Sequence, residues 1–121
     1  MKRCTLEELN QLAYLPKAIS FEKRRLLDLQ DQAGSYSSEA ATEIIETIRR
    51  YEDLLGRCRD FINSVKNPRV RTILQLRYMD QKSWQEIADY IDNGEGKEKD
   101  YTVKQAAYRF IEGMHKPTAG N

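Results

Sequence analysis

Long apolar runs are missing from this 121-residue sequence. No stretch approaches the roughly 18 apolar residues that a membrane-spanning helix needs, so no such helix is expected. Met1-Lys2-Arg3-Cys4-Thr5 leads into acidic residues instead of the apolar core of a signal segment, which makes a cytoplasmic location the expectation. Helix breakers are scarce too: three prolines and six glycines exclude an extended or low-complexity chain and favour an ordered, helical one. The two cysteines, Cys4 and Cys58, stand far apart without a companion cysteine or histidine at metal-ligand spacing. Ordinary reduced thiols are expected, with neither a zinc site nor a disulfide framework. His115 is the one histidine, near the end of the sequence, so it is a poor candidate for acid-base work. Gly94-Glu95-Gly96 follows an amphipathic helical pattern instead of a strand and lacks the lysine-serine pair of a phosphate loop. The expectation is a protein that is not an enzyme and carries no cofactor and no metal.

An excess of charge of one sign is also lacking. The formal net charge is +1, from 20 basic and 19 acidic residues. Residues 67–121 carry nine Lys/Arg and eight Asp/Glu, again +1. Free-standing DNA binders are usually far more basic, because neutralised phosphates supply most of their affinity. A DNA reader with this balance needs help from elsewhere.

Helical patterning is present throughout. Thr5-Leu6-Glu7-Glu8 has the form of a capping box, in which the threonine hydroxyl accepts from the Glu8 amide and the Glu8 side chain reaches back to the threonine amide. Pro16 then either kinks the helix at Leu15 or restarts it with proline in the first turn. Leu15, Ile19, Leu26, Leu29 and Ala33 continue at helical spacing if Glu22 is allowed as an interruption, and residues 34–38 supply turn chemistry. Ala41, Ile44, Ile48, Tyr51, Leu55, Cys58, Ile62 and Val65 alternate three and four apart, as in a coiled-coil seam. With Ser38 as N-cap and Lys66 as its end, this helix spans about 43 Å. The spacing predicts an antiparallel helical hairpin over 5–66, which can be a packing, dimerisation or partner-docking arm.

Asn67-Pro68 has N-cap and N1 chemistry for the next helix, with Val70, Ile73, Leu74 and Leu76 on its apolar side and Arg69, Arg71 and Arg77 as its basic residues. After the polar turn Asp80-Gln81-Lys82, Ser83-Trp84-Gln85-Glu86 forms a second capping box, and Trp84, Ile87, Ala88 and Ile91 share one face. Thr102 reads as the N-cap of the last helix, whose stripe is Val103, Ala107, Phe110 and Met114, closed by Gly113 and Pro117. Three short helices with a small alanine on the middle one are what a helix-turn-helix needs. The fold class expected is therefore all-α, a hairpin followed by a three-helix helix-turn-helix unit over 67–114 and a tail at 115–121.

Residues Val70 to Ile91, read as Val-x-x-Ile-Leu-x-Leu-Arg-Tyr-Met-Asp-x-x-Ser-Trp-x-Glu-Ile-Ala-x-x-Ile, are followed by Thr102-Val103-Lys104. Over about 45 residues this resembles region four of bacterial sigma factors. With the hairpin in front and tryptophan after the cap serine, the chain is similar to small phage regulators of late transcription of the RinA and ArpU type. The resemblance implies a phage or prophage source, a bacterial host cell, double-stranded DNA and RNA polymerase as partners, and sequence-specific transcription regulation. The matching positions on the last helix are Lys104 and Gln105, with Tyr108 and Arg109 one turn on. Gln105 suits adenine, Lys104 suits guanine or phosphate, and Arg109 suits phosphate. Tyr108 either contacts phosphate or covers the core edge. Ser83 and Thr102 sit where helix-start amides favour phosphate, or act as caps alone. Arg77 is either an ion-pair partner or a DNA contact, and Trp84 belongs to the core with its N–H at the rim.

One departure from the resemblance is the ten-residue stretch Asp92 to Tyr101, about twice the usual turn, with four acidic side chains. It is either a tolerated surface insertion or a flap that touches the minor groove or a protein, with Lys97 and Lys99 near its tip. The alternatives to polymerase-assisted regulation are a dimeric repressor or DNA-packaging adaptor, a homodimer that uses the hairpin as its seam, or a helical interaction module that binds no DNA.

Overall fold

A computed structural model describes residues 3–33, 39–92, 94 and 96–113. Among these residues the chain is all-α, with six helices and no strand: α1 (Leu6–Asn10), α2 (Leu15–Ala33), α3 (Glu39–Asn63), α4 (Pro68–Leu74), α5 (Trp84–Ile91) and α6 (Asp100–Gly113). Helix α4 runs on into a π-helical turn, Gln75–Met79. No helix is long and apolar enough to cross a membrane. The expected turn at 34–38, the Ser38 cap, Met114, His115, Pro117 and the tail lie outside the described residues.

Contacts divide the chain into two compact units, Tyr14–Gly56 and the combination of Met1–Ala13 with Arg57–Asn121. This grouping differs from the expected 5–66 and 67–114. Its physical reason is that Cys4, Leu9, Phe61 and Ile62, all fully buried, belong to the same unit as Ile73, Leu74, Ile87, Val103 and Ala107. The Phe61 ring lies 6.2 Å from that of Phe110 on α6. Arg57 donates to Glu8 at 2.6 Å, joining the end of α3 to α1. That guanidinium and, foremost, the Thr5 amide hold the Glu8 carboxyl below the usual carboxylate range.

In the smaller unit, α2 and α3 pack through Ile19, Ile44 and Ile48, with Leu26, Leu29, Tyr51 and Leu55 half-buried beside them. Leu29 lines one depression with Ala40 and Ile44, while Lys23 pairs with Glu52 at 3.6 Å. Later residues of α2 thus meet earlier residues of α3, an antiparallel pair. Pro16 restarts the helix: α1 stops at Asn10 and α2 begins at Leu15, since a proline in the first turn costs no hydrogen bond. Helix α3 stops at Asn63, short of the expected Lys66, where the Ser64 hydroxyl donates to the Phe61 carbonyl at 2.7 Å. Its 25 residues span about 38 Å.

The caps of α1, α4 and α5 take the forms the sequence predicts. Thr5 and Glu8, and likewise Ser83 and Glu86, make reciprocal capping boxes, and the Asn67 side chain accepts from the Val70 amide. Thr102 is a correction. Helix α6 begins at Asp100, and the Lys99 carbonyl accepts from the amides of Thr102 and Val103 at 3.0 and 3.2 Å, so Lys99 holds the cap position. Asp100 extends the helix because its carboxylate accepts from the Tyr101 amide at 2.8 Å and its charge complements the helix start.

Cys4 and Cys58, remote in sequence, touch: their sulfurs lie 3.3 Å apart, both as free thiols and both fully buried. Burial pushes both thiols above their usual range, which suppresses the reactive thiolate. The folded protein is expected to leave both cysteines unreacted with a disulfide reagent at about pH 8, and the unfolded chain to react at both. Titration of either thiol in the native state within minutes would contradict this packing.

Candidate nucleic-acid interface

Helix α6 buries Val103, Ala107 and Ile111 against α4 and α5. The sequence pattern ends this stripe at Phe110 and Met114, but Ile111 is its buried member and Phe110 is half-buried. Ile111 follows Ala107 by four residues, the same step that separates Val103 from Ala107, and that step is the signal that would have found it. With those positions inward, Lys104, Gln105 and Arg109 are exposed, and Tyr108 is half-buried at their edge. The four residues form two adjacent stripes along the outer surface of one helix.

A series of ring and cation contacts runs from the core to this surface. Buried Tyr78 meets Trp84 edge-on at 6.5 Å, and Trp84 meets Tyr108 edge-on at 5.9 Å. The Lys104 amine lies 5.6 Å from the centre of the Tyr108 ring. The Arg77 guanidinium lies 4.5 Å over Trp84 and donates to the Lys82 carbonyl at 3.2 Å. Cation-ring contacts of this kind contribute roughly 0.5–1 kcal/mol at exposed sites. Trp84 is thus half-buried, one face taken by Arg77, and Tyr108 covers the core edge.

The helix starts are less open. The Ser83 hydroxyl accepts from the Glu86 amide, and the Glu86 carboxylate accepts from the Ser83 amide, each at 3.1 Å. The bond from the Ser83 amide, foremost, and the Ser83 side chain hold the Glu86 carboxyl below its usual range and leave a negative group where a phosphate would sit. Thr102 lies inside α6 with its amide already bonded to Lys99.

The described residues between Ile91 and Asp100 gather around one carboxylate. Asp92 accepts from the amides of Gly96, Lys97 and Glu98 at 3.0, 3.0 and 3.2 Å. Foremost among these, Gly96 and then Glu98 hold its carboxyl below the usual range. Gly94 and Gly96 take the left-handed conformation that lets the chain turn this tightly, at φ +82° and +67°. Glu98 then grips Arg69 on α4 through both oxygens, at 3.0 and 3.2 Å. Nothing in the residue pattern signalled that tie, because Arg69 and Glu98 are 29 residues apart. Lys97 and Lys99 are exposed on this turn.

Comparison of the chain with protein families, with curated proteins and with solved structures gave no match.

Tyr78 is nearly fully buried, and its hydroxyl has no hydrogen-bond partner among the described residues. Burial pushes its phenol far up, so it stays neutral. An unsatisfied buried hydroxyl costs about 1–3 kcal/mol, whereas the ring's contact with Trp84 survives its removal. Tyr78→Phe is therefore expected to leave stability unchanged or raise it by up to about 1 kcal/mol in urea unfolding. A loss of more than that amount would mean the hydroxyl is engaged in the native state.

Proposed function

We propose that the chain is a sequence-specific, double-stranded-DNA-binding transcription regulator that reads DNA with α6 in a helix-turn-helix formed with α5. The observation that carries this reading is the outer face of α6, where Lys104, Gln105 and Arg109 are exposed while Val103, Ala107 and Ile111 hold the helix from beneath. A helix anchored on one side and carrying amide and cationic groups on the other has the chemistry that major-groove edges and phosphates require. Gln105 offers the donor-acceptor pair that matches adenine, Lys104 a donor to guanine or phosphate, and Arg109 a phosphate contact.

The likeness of Val70–Ile91 and Thr102–Lys104 to sigma factor region four supports the same reading, with a phage or prophage regulator acting alongside host RNA polymerase as its fullest form. The near-neutral charge favours that form. At +1, electrostatics alone give weak, salt-sensitive binding, so a polymerase contact would supply the missing affinity. The same charge is what favours the rival reading, a helical interaction module without DNA binding.

In cells expressing the chain, transcripts that rise with the wild type are expected to fall to background with Gln105→Ala, which removes a contact worth about 1–3 kcal/mol of base discrimination. Lys104→Ala is expected to do the same, while circular dichroism of both variants stays fully helical because both side chains are exposed. Unchanged transcription in both variants would rule out α6 as the reading helix.

A further inference from the structure

We infer that the α2–α3 hairpin is a self-association surface, on which two copies of the chain pack antiparallel about a twofold axis. The inference is independent of the DNA reading and rests on the order of charge and apolar groups along one side of the hairpin.

The hairpin is sharply divided in charge. Between Leu26 and Ile48 the sequence holds Asp28, Asp31, Glu39, Glu43 and Glu46 and no lysine or arginine. Toward the other end six cations, Lys17, Lys23, Arg24 and Arg25 on α2 and Arg49 and Arg50 on α3, outnumber three carboxylates, Glu22, Glu52 and Asp53, for a net +3 against −5. Glu39, Glu43 and Glu46 make no ion pair among the described residues, whereas Asp28 at the same end pairs with Arg24 at 3.5 Å. The pairs within the basic end, such as Lys23 with Glu52 at 3.6 Å, are exposed and contribute little.

One side of the hairpin carries both charges in sequence with an apolar knob and an apolar recess. Ala40, Glu43, Thr47 and Arg50 follow one another at spacings of three and four along α3, as do Phe21, Arg25 and Asp28 along α2. The recess, about 220 Å³, is floored by Leu29, Ala40 and Ile44 and rimmed by Arg25 and Asp28. Phe21 is 62% exposed, an aromatic ring with the Arg25 guanidinium over it at 5.9 Å. It lies two turns before Leu29.

A twofold axis at the level of Arg25 and Thr47 brings Phe21 of each copy to the recess of the other, because Phe21 and Leu29 are equidistant from Arg25. The same axis sets Arg50 of each copy against Glu43 of the other. A parallel pairing instead stacks the acidic ends together, where like charges within about 10 Å repel at ordinary ionic strength. The two Arg25 side chains meet at that axis, each already paired with its own Glu22 at 3.2 Å, and the knob, the recess and the Arg50–Glu43 charges are complementary in this one orientation, as an isologous interface requires. Its size is modest: a helix of 19 residues spans about 28 Å, and two helices about 20 Å, so near 1,100 Å² is buried in total. That area is at the low end for specific complexes, where weak and transient associations fall.

Sedimentation equilibrium of the full chain tests this at concentrations up to about 200 µM. The wild type is expected to dimerise, and more weakly as salt rises. Glu43→Lys and Arg50→Glu are each expected to associate at least about tenfold more weakly, since each sets like charges together twice across the axis. An equimolar mixture of the two is expected to recover the dimer, because each substituted charge then meets its opposite. Phe21→Ala, which removes a mostly exposed ring, weakens association without changing helicity. A wild type that stays monomeric, charge variants that dimerise as the wild type does, or a mixture that fails to recover would each overturn the inference.

Discussion

The rotation of α6 about its own axis is set by three side chains, Val103, Ala107 and Ile111, which are dry and packed against α4 and α5. Turning the helix by one residue, about 100°, would carry Lys104 toward the core, and burying an uncompensated ammonium is far costlier than any ring contact nearby. The outer face is thus determined by what must stay inside. Trp84 adds a second brace from α5, holding Tyr108 edge-on, and Tyr108 in turn holds the Lys104 amine. A surface meant to read another molecule gains from such support, because side chains already ordered lose less entropy on binding.

Much of the remaining charge is used within the fold. Glu8 and Glu86 close capping boxes, Asp92 binds the amides of its own turn, and Glu98 takes Arg69. Arg57 serves Glu8 and Arg77 covers Trp84. Exposed cations on α6 are few, consistent with a net charge of +1 and with the proposal that DNA affinity comes partly from a protein partner. Gly96, Lys97 and Glu98 bind back to Asp92, and Glu98 ties them to α4.

Local rules carried the sequence reading furthest. The caps at Thr5, Asn67 and Ser83 depend on side chains within three residues of the amides they serve, and all three form. The seam from Ala41 to Val65 is a matter of helical period, and its members are buried or half-buried. Contacts between distant residues were not legible. Cys4 against Cys58, Glu98 against Arg69 and Phe61 against Phe110 depend on how the helices are arranged, which periodicity does not encode. Thr102 misled for a subtler reason: Thr-x-x-Gln fits a cap, but Asp100 supplies a better first turn two residues earlier. On α6, the exposure of Lys104, Gln105 and Arg109 followed from the pattern, whereas the Arg77–Trp84–Tyr108 contacts did not.

The central claim, that the exposed face of α6 reads DNA with help, is tested most directly by fragment selection. Genomic fragments of the source organism would be presented to the purified chain at about 50 mM salt, where electrostatic binding is favoured, with and without core RNA polymerase. The account predicts that fragments sharing one sequence are retained, and that polymerase increases their retention. No enrichment in either condition would contradict it.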